Sequence, residues 1–125
     1  MLRTLFFIAA SLILVPTAQA GDVAKGEKIF KRCMSCHMVG DGAKARIGPQ
    51  LNNLFNRGVA TVEGYNYSKG MQSFGAEHKS WTPELLSTYL ENPRNVVKGT
   101  IMSFGGLRKE SDRDDVIAYL QQFNK

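Results

Sequence analysis

The sequence has only two cysteines, two histidines and one tryptophan among its 125 residues. A closed zinc site is therefore short of ligands, since only Cys33, Cys36, His37 and His78 are on offer and two of them are neighbours. No odd cysteine is left over. No dense lysine and arginine cluster with interleaved aromatics occurs, so nucleic acid is not an indicated partner. Repeats and low-complexity tracts are also missing. The apolar run Leu5 to Val15 is too short for an ordinary membrane span.

That run has the marks of a leader. Arg3 precedes it, Pro16 breaks it, and Ala18-Gln19-Ala20 is a small-x-small cleavage signal. The expected organisation is a leader over 1–20, removed on export to the periplasm, and one domain over 21–125. The alternative is an uncleaved anchor. The whole chain carries a formal charge of +5, and a modest basic excess suits docking to acidic partners.

Cys33-Met34-Ser35-Cys36-His37 is the stretch that carries chemistry. Two cysteines three apart with a histidine directly after them read as a c-type haem attachment site. On a helix, positions three and four apart share a face, so both thiols and the imidazole can address one flat ligand. The thiols form thioethers with the haem vinyl groups, and His37 becomes the proximal iron ligand. Competing readings are a redox dithiol, which wants a βαβ context that is not visible, or a plain disulfide. Oxidising export compartments suit a reactive cysteine pair.

Around this motif the pattern is helical. Asp22 caps a first helix expected to run through Val23 to about Met34, with Gly26 and Phe30 on one face. Glycines and Pro49 make 39–58 a loop. A proximal histidine normally donates its second N–H to a carbonyl, and Pro49 is a candidate acceptor. Gly64-Tyr65-Asn66-Tyr67 puts two tyrosine tips where haem carboxylates can be met, though ordinary half-buried tyrosines explain them as well. Ser68–Ser80 offers at most a short helical turn, with Gly70 and Gly75 weakening it. Thr82-Pro83-Glu84 starts a helix with a stripe of Leu85, Leu86, Tyr89 and Leu90, ended by Asn92-Pro93. Ser111 starts the last helix, with Val116, Tyr119, Leu120 and Phe123 as its core face. About a hundred residues joined by such long loops need a large apolar cofactor to wrap.

The second axial ligand is open on chemistry alone. Met71, His78 and Met102 are the candidates, and Met34 and Met38 are too close to His37. Met102 lies in an irregular, glycine-rich segment, Lys98 to Gly106, between two helices.

Read together, CMSCH, Gly48-Pro49-Gln50-Leu51, Leu54-Phe55-x-Arg57, Gly64-x-x-Tyr67, Trp81, Tyr89-Leu90-Glu91-Asn92-Pro93, Gly99-Thr100-x-Met102-x-Phe104 and Asp115 to Leu120 resemble a class I c-type cytochrome. The likeness is to the cytochrome c2 and mitochondrial cytochrome c branch and covers nearly all of 21–125. It implies an all-α cytochrome c fold, about three main helices plus short helical turns around one covalent haem. It implies His37 and Met102 as axial ligands and the Pro49 carbonyl as partner of His37. It further implies that Tyr67 and Trp81 hold a propionate with Arg57 nearby, and that Tyr89 and Thr100 lie beside the Met102 sulfur. Gly26, Phe30, Tyr119 and Leu120 match the family's crossing of first and last helices. Two departures stand out: the stretch between Tyr67 and Trp81 is longer than in mitochondrial members, and the lysines flanking the methionine are mostly replaced.

The implied function is a soluble, monomeric, exported monohaem carrier, not an enzyme. It shuttles single electrons between complexes such as a quinol–cytochrome c reductase and a terminal oxidase, without stable membrane insertion. Lys31, Lys44, Arg94 and Lys98 are candidates for a basic ring steering acidic partners. Alternatives are a dedicated haem subunit of a dehydrogenase or membrane complex, and a peroxidase-like haem protein.

Overall fold

The computed structural model describes residues 20–125; the leader expected over 1–20 lies outside these except for Ala20. Asp22 has extended backbone, and its carboxylate accepts from the Lys25 N–H at 3.0 Å, which starts α1, Val23–Phe30. Ser68 caps α2, Lys69–Glu77, by accepting from Met71 N–H at 3.1 Å. Thr82 does the same for α3, Pro83–Glu91, with Pro83 at its first position. Asn92 closes α3 and caps the single turn α4, Pro93–Val96, accepting from Asn95 N–H at 3.3 Å. The last helix, α5, spans Glu110–Gln121 and has acids but no side-chain cap at its start. No strand forms among the described residues; Gly58 and Ser80 make one isolated antiparallel bridge.

The fold turns on the crossing of α1 and α5. Gly26 is buried there, and a Cβ on it would overlap the Asp115 carbonyl. The missing side chain lets two backbones touch, which outweighs glycine's poor helix propensity. Phe30 packs on Tyr119 with ring centroids 5.3 Å apart, and Tyr119 meets Phe123 edge-on at 5.2 Å. α3 lies against α5, and Arg113 of α5 fastens them. Its Nε donates to Ser87 Oγ at 2.9 Å, and Nη1 donates to the carbonyls of Leu107 and Arg108.

Three expectations change. The first helix stops at Phe30 rather than near Met34. Past Phe30 the backbone bonds tighten to acceptors three residues back, Arg32 N–H to the Ile29 carbonyl at 3.0 Å and Cys33 N–H to the Phe30 carbonyl at 2.7 Å, so the α-helical ladder ends there. Ser68–Ser80, in contrast, holds a nine-residue helix. Its glycines weaken it intrinsically, yet Gly70 lies flush on the Lys98 carbonyl and a Cβ on Gly75 would come within 2.8 Å of the Val59 carbonyl oxygen. Close packing against neighbouring backbone overrides propensity there. The last helix also begins one residue before Ser111.

The long loop after His37 is held by its own side chains. Asn52 Oδ1 accepts from Gly40 N–H and its Nδ2 donates to the Gly40 carbonyl, both at 2.8 Å. Arg57 donates to the carbonyls of Asn52 and Gln50 at 3.2 and 2.9 Å. The chain's end is tied to residues 53–56, with Asn53 N–H donating to the Phe123 carbonyl and Lys125 N–H to Asn53 Oδ1. These bonds satisfy backbone groups that no helix serves.

Candidate functional site

After α1 the chain tightens into turns. Cys33 N–H donates to the Phe30 carbonyl at 2.7 Å. The Cys33 carbonyl then accepts from both Cys36 N–H at 3.1 Å and His37 N–H at 2.9 Å. One helix-like turn, rather than a continuing helix, thus brings Cys33, Cys36 and His37 to one crevice. Met34 between them is exposed.

His37 is fixed from two sides. Its Nδ1–H donates to the Pro49 carbonyl at 2.7 Å, leaving the Nε2 lone pair for a ligand bond. Gly48 lies under the ring, where any Cβ would collide with the imidazole. Burial pushes the imidazole pKa down, against the opposing Pro49 hydrogen bond. A neutral imidazole is the form that binds metal. Burial also pushes the Cys33 thiol up to about 11, with Arg32 opposing and Cys36 adding to the rise. A thiol held in its protonated form is a poor redox nucleophile, which argues against the dithiol reading.

Met102 enters the same crevice from the irregular segment between α4 and α5. Its N–H donates to Thr100 Oγ1 at 3.1 Å, and its carbonyl accepts from Phe104 N–H at 3.1 Å. The hydroxyl of Tyr89, on α3, donates to the Met102 sulfur at 3.6 Å. Burial raises the Tyr89 pKa, a hydrogen bond with Thr100 opposing, so the hydroxyl stays a donor. Gly106, at φ +99°, lets the segment turn back flush against the Glu91 carbonyl, and Leu107 N–H donates to the Leu90 carbonyl at 2.7 Å.

Arg57, Tyr67 and Trp81 also line the crevice. Trp81 is buried and stacks at 5.2 Å on Tyr89 and 5.6 Å on Phe74. The Tyr67 hydroxyl accepts from Val62 N–H at 3.1 Å, and Tyr65 donates to the Ile47 carbonyl at 2.9 Å. Both tyrosine tips therefore also organise the loop. Among the three candidates for the second ligand, Met71 and Met102 line the crevice. His78 instead ends α2, its ring 4.4 Å from that of Phe74. Sequence reasoning missed Ile47 as a rim residue and Asn52 as the loop's organiser. Nothing in their spacing marks them, because their roles come from contacts between distant turns.

The crevice fits a haem. Its open space, mouth included, is about 1400 Å³, and Leu51, Leu54, Met71, Leu86 and Leu120 give it an apolar wall. Two unpaired thiols and a neutral, oriented imidazole stand on that wall. Among the described residues no group of three or more His, Cys, Asp or Glu side chains could hold a bare metal ion.

Comparison with known proteins agrees. The family model for cytochrome c matches residues 23–124. The chain is 46% identical over 101 residues to a cytochrome c-550 from Ancylobacter novellus, covering 81% of this chain and 94% of the relative. It is 48% identical over 107 residues to a cytochrome c2 from Afifella marina, covering 85% and 86%. A cytochrome c2 from Blastochloris viridis is 43% identical over 120 residues, covering 96% and 90%.

Proposed function

The chain belongs to the cytochrome c family, a haem c electron carrier attached through Cys33 and Cys36, and from that premise we propose how its residues do the work. His37, through Nε2, and Met102, through its sulfur, are the residues that would hold the haem iron. The observation that carries this is the meeting of an oriented imidazole and a hydrogen-bonded thioether in one apolar crevice. Haem c bound there would supply one-electron redox chemistry.

The protein's part is to hold and tune. Pro49 and Gly48 fix the ring of His37, Tyr89 holds the Met102 sulfur, and Thr100 holds the Met102 backbone N–H. A thioether ligand in an apolar pocket favours the ferrous state and raises the potential. Trp81, Tyr67 and Arg57 are the candidates for meeting the haem carboxylates. With His37 and Met102 both committed to the iron, no ligand position would be left for a substrate, and this supports a carrier rather than an enzyme.

The carrier acts in the periplasm after removal of residues 1–20, as a monomer. It exchanges electrons with a quinol–cytochrome c reductase and a terminal oxidase. In support, the relatives named cytochrome c2 come from bacteria. Ile47 and Ile101, 75% and 65% exposed, stand on the rim of the crevice. Lys31, Lys44, Arg94 and Lys98 are exposed. An apolar rim with basic groups on the surface suits a transient electrostatic encounter.

The test is the resting ferric holoprotein. A low-spin spectrum with a sulfur-to-iron band and no carbon monoxide binding by the ferrous form supports the carrier. A high-spin ferric form that reacts with peroxide, or a ferrous form that binds carbon monoxide, would support the peroxidase-like alternative. Co-purification with one complex in detergent would instead indicate a dedicated subunit.

A further inference from the structure

The first residues of the domain are fitted to α5 more tightly than helix capping requires. Gly21 lies so close to the Asp114–Asp115 backbone that a Cβ would overlap the Asp114 carbonyl. The next N–H, that of Asp22, donates to Asp115 Oδ1 at 2.6 Å. Ala20 and Gly21 together line a groove between α3 and α5. The charged lining of that groove is Glu84 and Glu91 from α3, and Glu110, Arg113 and Asp114 from α5. Four carboxylates thus stand against one cation. That cation is already committed, because the Arg113 guanidinium donates to Ser87 Oγ and to two backbone carbonyls.

We propose that this groove is the binding site for the chain's own α-ammonium group, made when the peptide bond between Ala20 and Gly21 is hydrolysed. The proposal rests on residues 1–20 being a removed leader. Water adds across that bond, leaving a carboxylate on Ala20 of the leader and an amine on Gly21 that takes up a proton. A neutral amide in an acidic groove becomes a cation there. Cleavage thereby supplies the charge that the groove lacks, and processing stabilises the fold it releases. Glycine at this position serves the same end, because a side chain would lift the terminus away from α5. The cleavage register and the packing of α5 are one feature.

The sign with pH follows. The titratable and charged groups that line the groove are Glu84 and Glu91 of α3 and Glu110, Arg113 and Asp114 of α5, and those beside the terminal segment are Asp115, Asp22 and Lys25. With acids in excess, the folded α-amine titrates above its ordinary value of about 7.7–8.0. Its stabilisation is full below that ordinary value and is lost as pH rises through the folded one.

The experiment uses the exported holoprotein. Intact mass fixes its N-terminus, and NMR titration of isotope-labelled Gly21 follows its α-amine. The expected result is a chain starting at Gly21 whose amine titrates about half a unit or more above the ordinary range. In a Glu84→Gln, Glu110→Gln, Asp114→Asn variant the value returns to that range. A chain starting elsewhere overturns the leader reading, and the proposal with it. A chain starting at Gly21 whose amine titrates in the ordinary range overturns the groove alone.

Discussion

The hydroxyl of Tyr89 donates to the sulfur of Met102 at 3.6 Å, across two segments that share no helix. A donor on sulfur withdraws electron density from the thioether, which weakens it most as a ligand for ferric iron. Tyr89→Phe removes the donor and keeps the ring that packs on Trp81. One hydrogen bond is worth about 0.5–1.5 kcal/mol, so the potential falls by roughly 20–60 mV. A redox titration of the holoprotein checks the sign, and a rise would mean that the bond does not act on the ligand.

Gly26→Ala tests the helix crossing. Alanine favours an isolated helix by up to about 1 kcal/mol, but its Cβ meets the Asp115 carbonyl. Overpacking against backbone costs about 1–3 kcal/mol, so packing wins. Thermal unfolding of the holoprotein should show Tm lowered by several degrees, at roughly 4–8 °C per kcal/mol for a domain of this size. An unchanged or raised Tm would mean that the two helices are free to move apart.

Arg113→Ala leaves the Leu107 and Arg108 carbonyls without their donor and unties Ser87 of α3. The cost should be about 1.5–3 kcal/mol, because a charged donor is lost. The loosened stretch directly follows the Met102 segment. Amide hydrogen exchange around Leu107 should therefore quicken before exchange in α1 does.

These two positions mark the limit of what the sequence discloses. Gly26 was readable because a glycine within a capped helix asks for a close neighbour, and the Phe30 and Leu120 faces point to that crossing. CMSCH and Thr82-Pro83 are local signals, and they are read locally. Arg113 was not legible: a cation in an acid-rich helix start looks like surface, and only the tertiary turn at Leu107 and Arg108 buries it. α2 was undervalued for the same reason, since the neighbours that compensate Gly70 and Gly75, Lys98 and Val59, are remote in sequence. The end of α1 moved because the backbone bonds of Arg32 and Cys33 tighten to three-residue spacing, which no residue pattern there signals.

Acid should act on the start of α1. The Lys25 backbone N–H that Asp22 binds holds its carboxyl below the usual carboxylate range, with burial opposing. A lowered folded pKa means that this stabilisation is present above the unfolded value, about 3.9, and fades as pH falls through the folded one. Wild type should therefore exceed Asp22→Ala in Tm near neutrality and approach it in acid. A gap that widens on acidification would contradict the cap.

The central claim is the pair His37 and Met102, and the most direct measurement is the ferric spectrum and redox potential of holoprotein Met102→Ala beside His78→Ala and Met71→Ala. The account predicts that Met102→Ala alone loses the sulfur-to-iron band and drops in potential, while His78→Ala and Met71→Ala keep both. A Met102→Ala protein that retained its band and potential would show that another residue closes the iron.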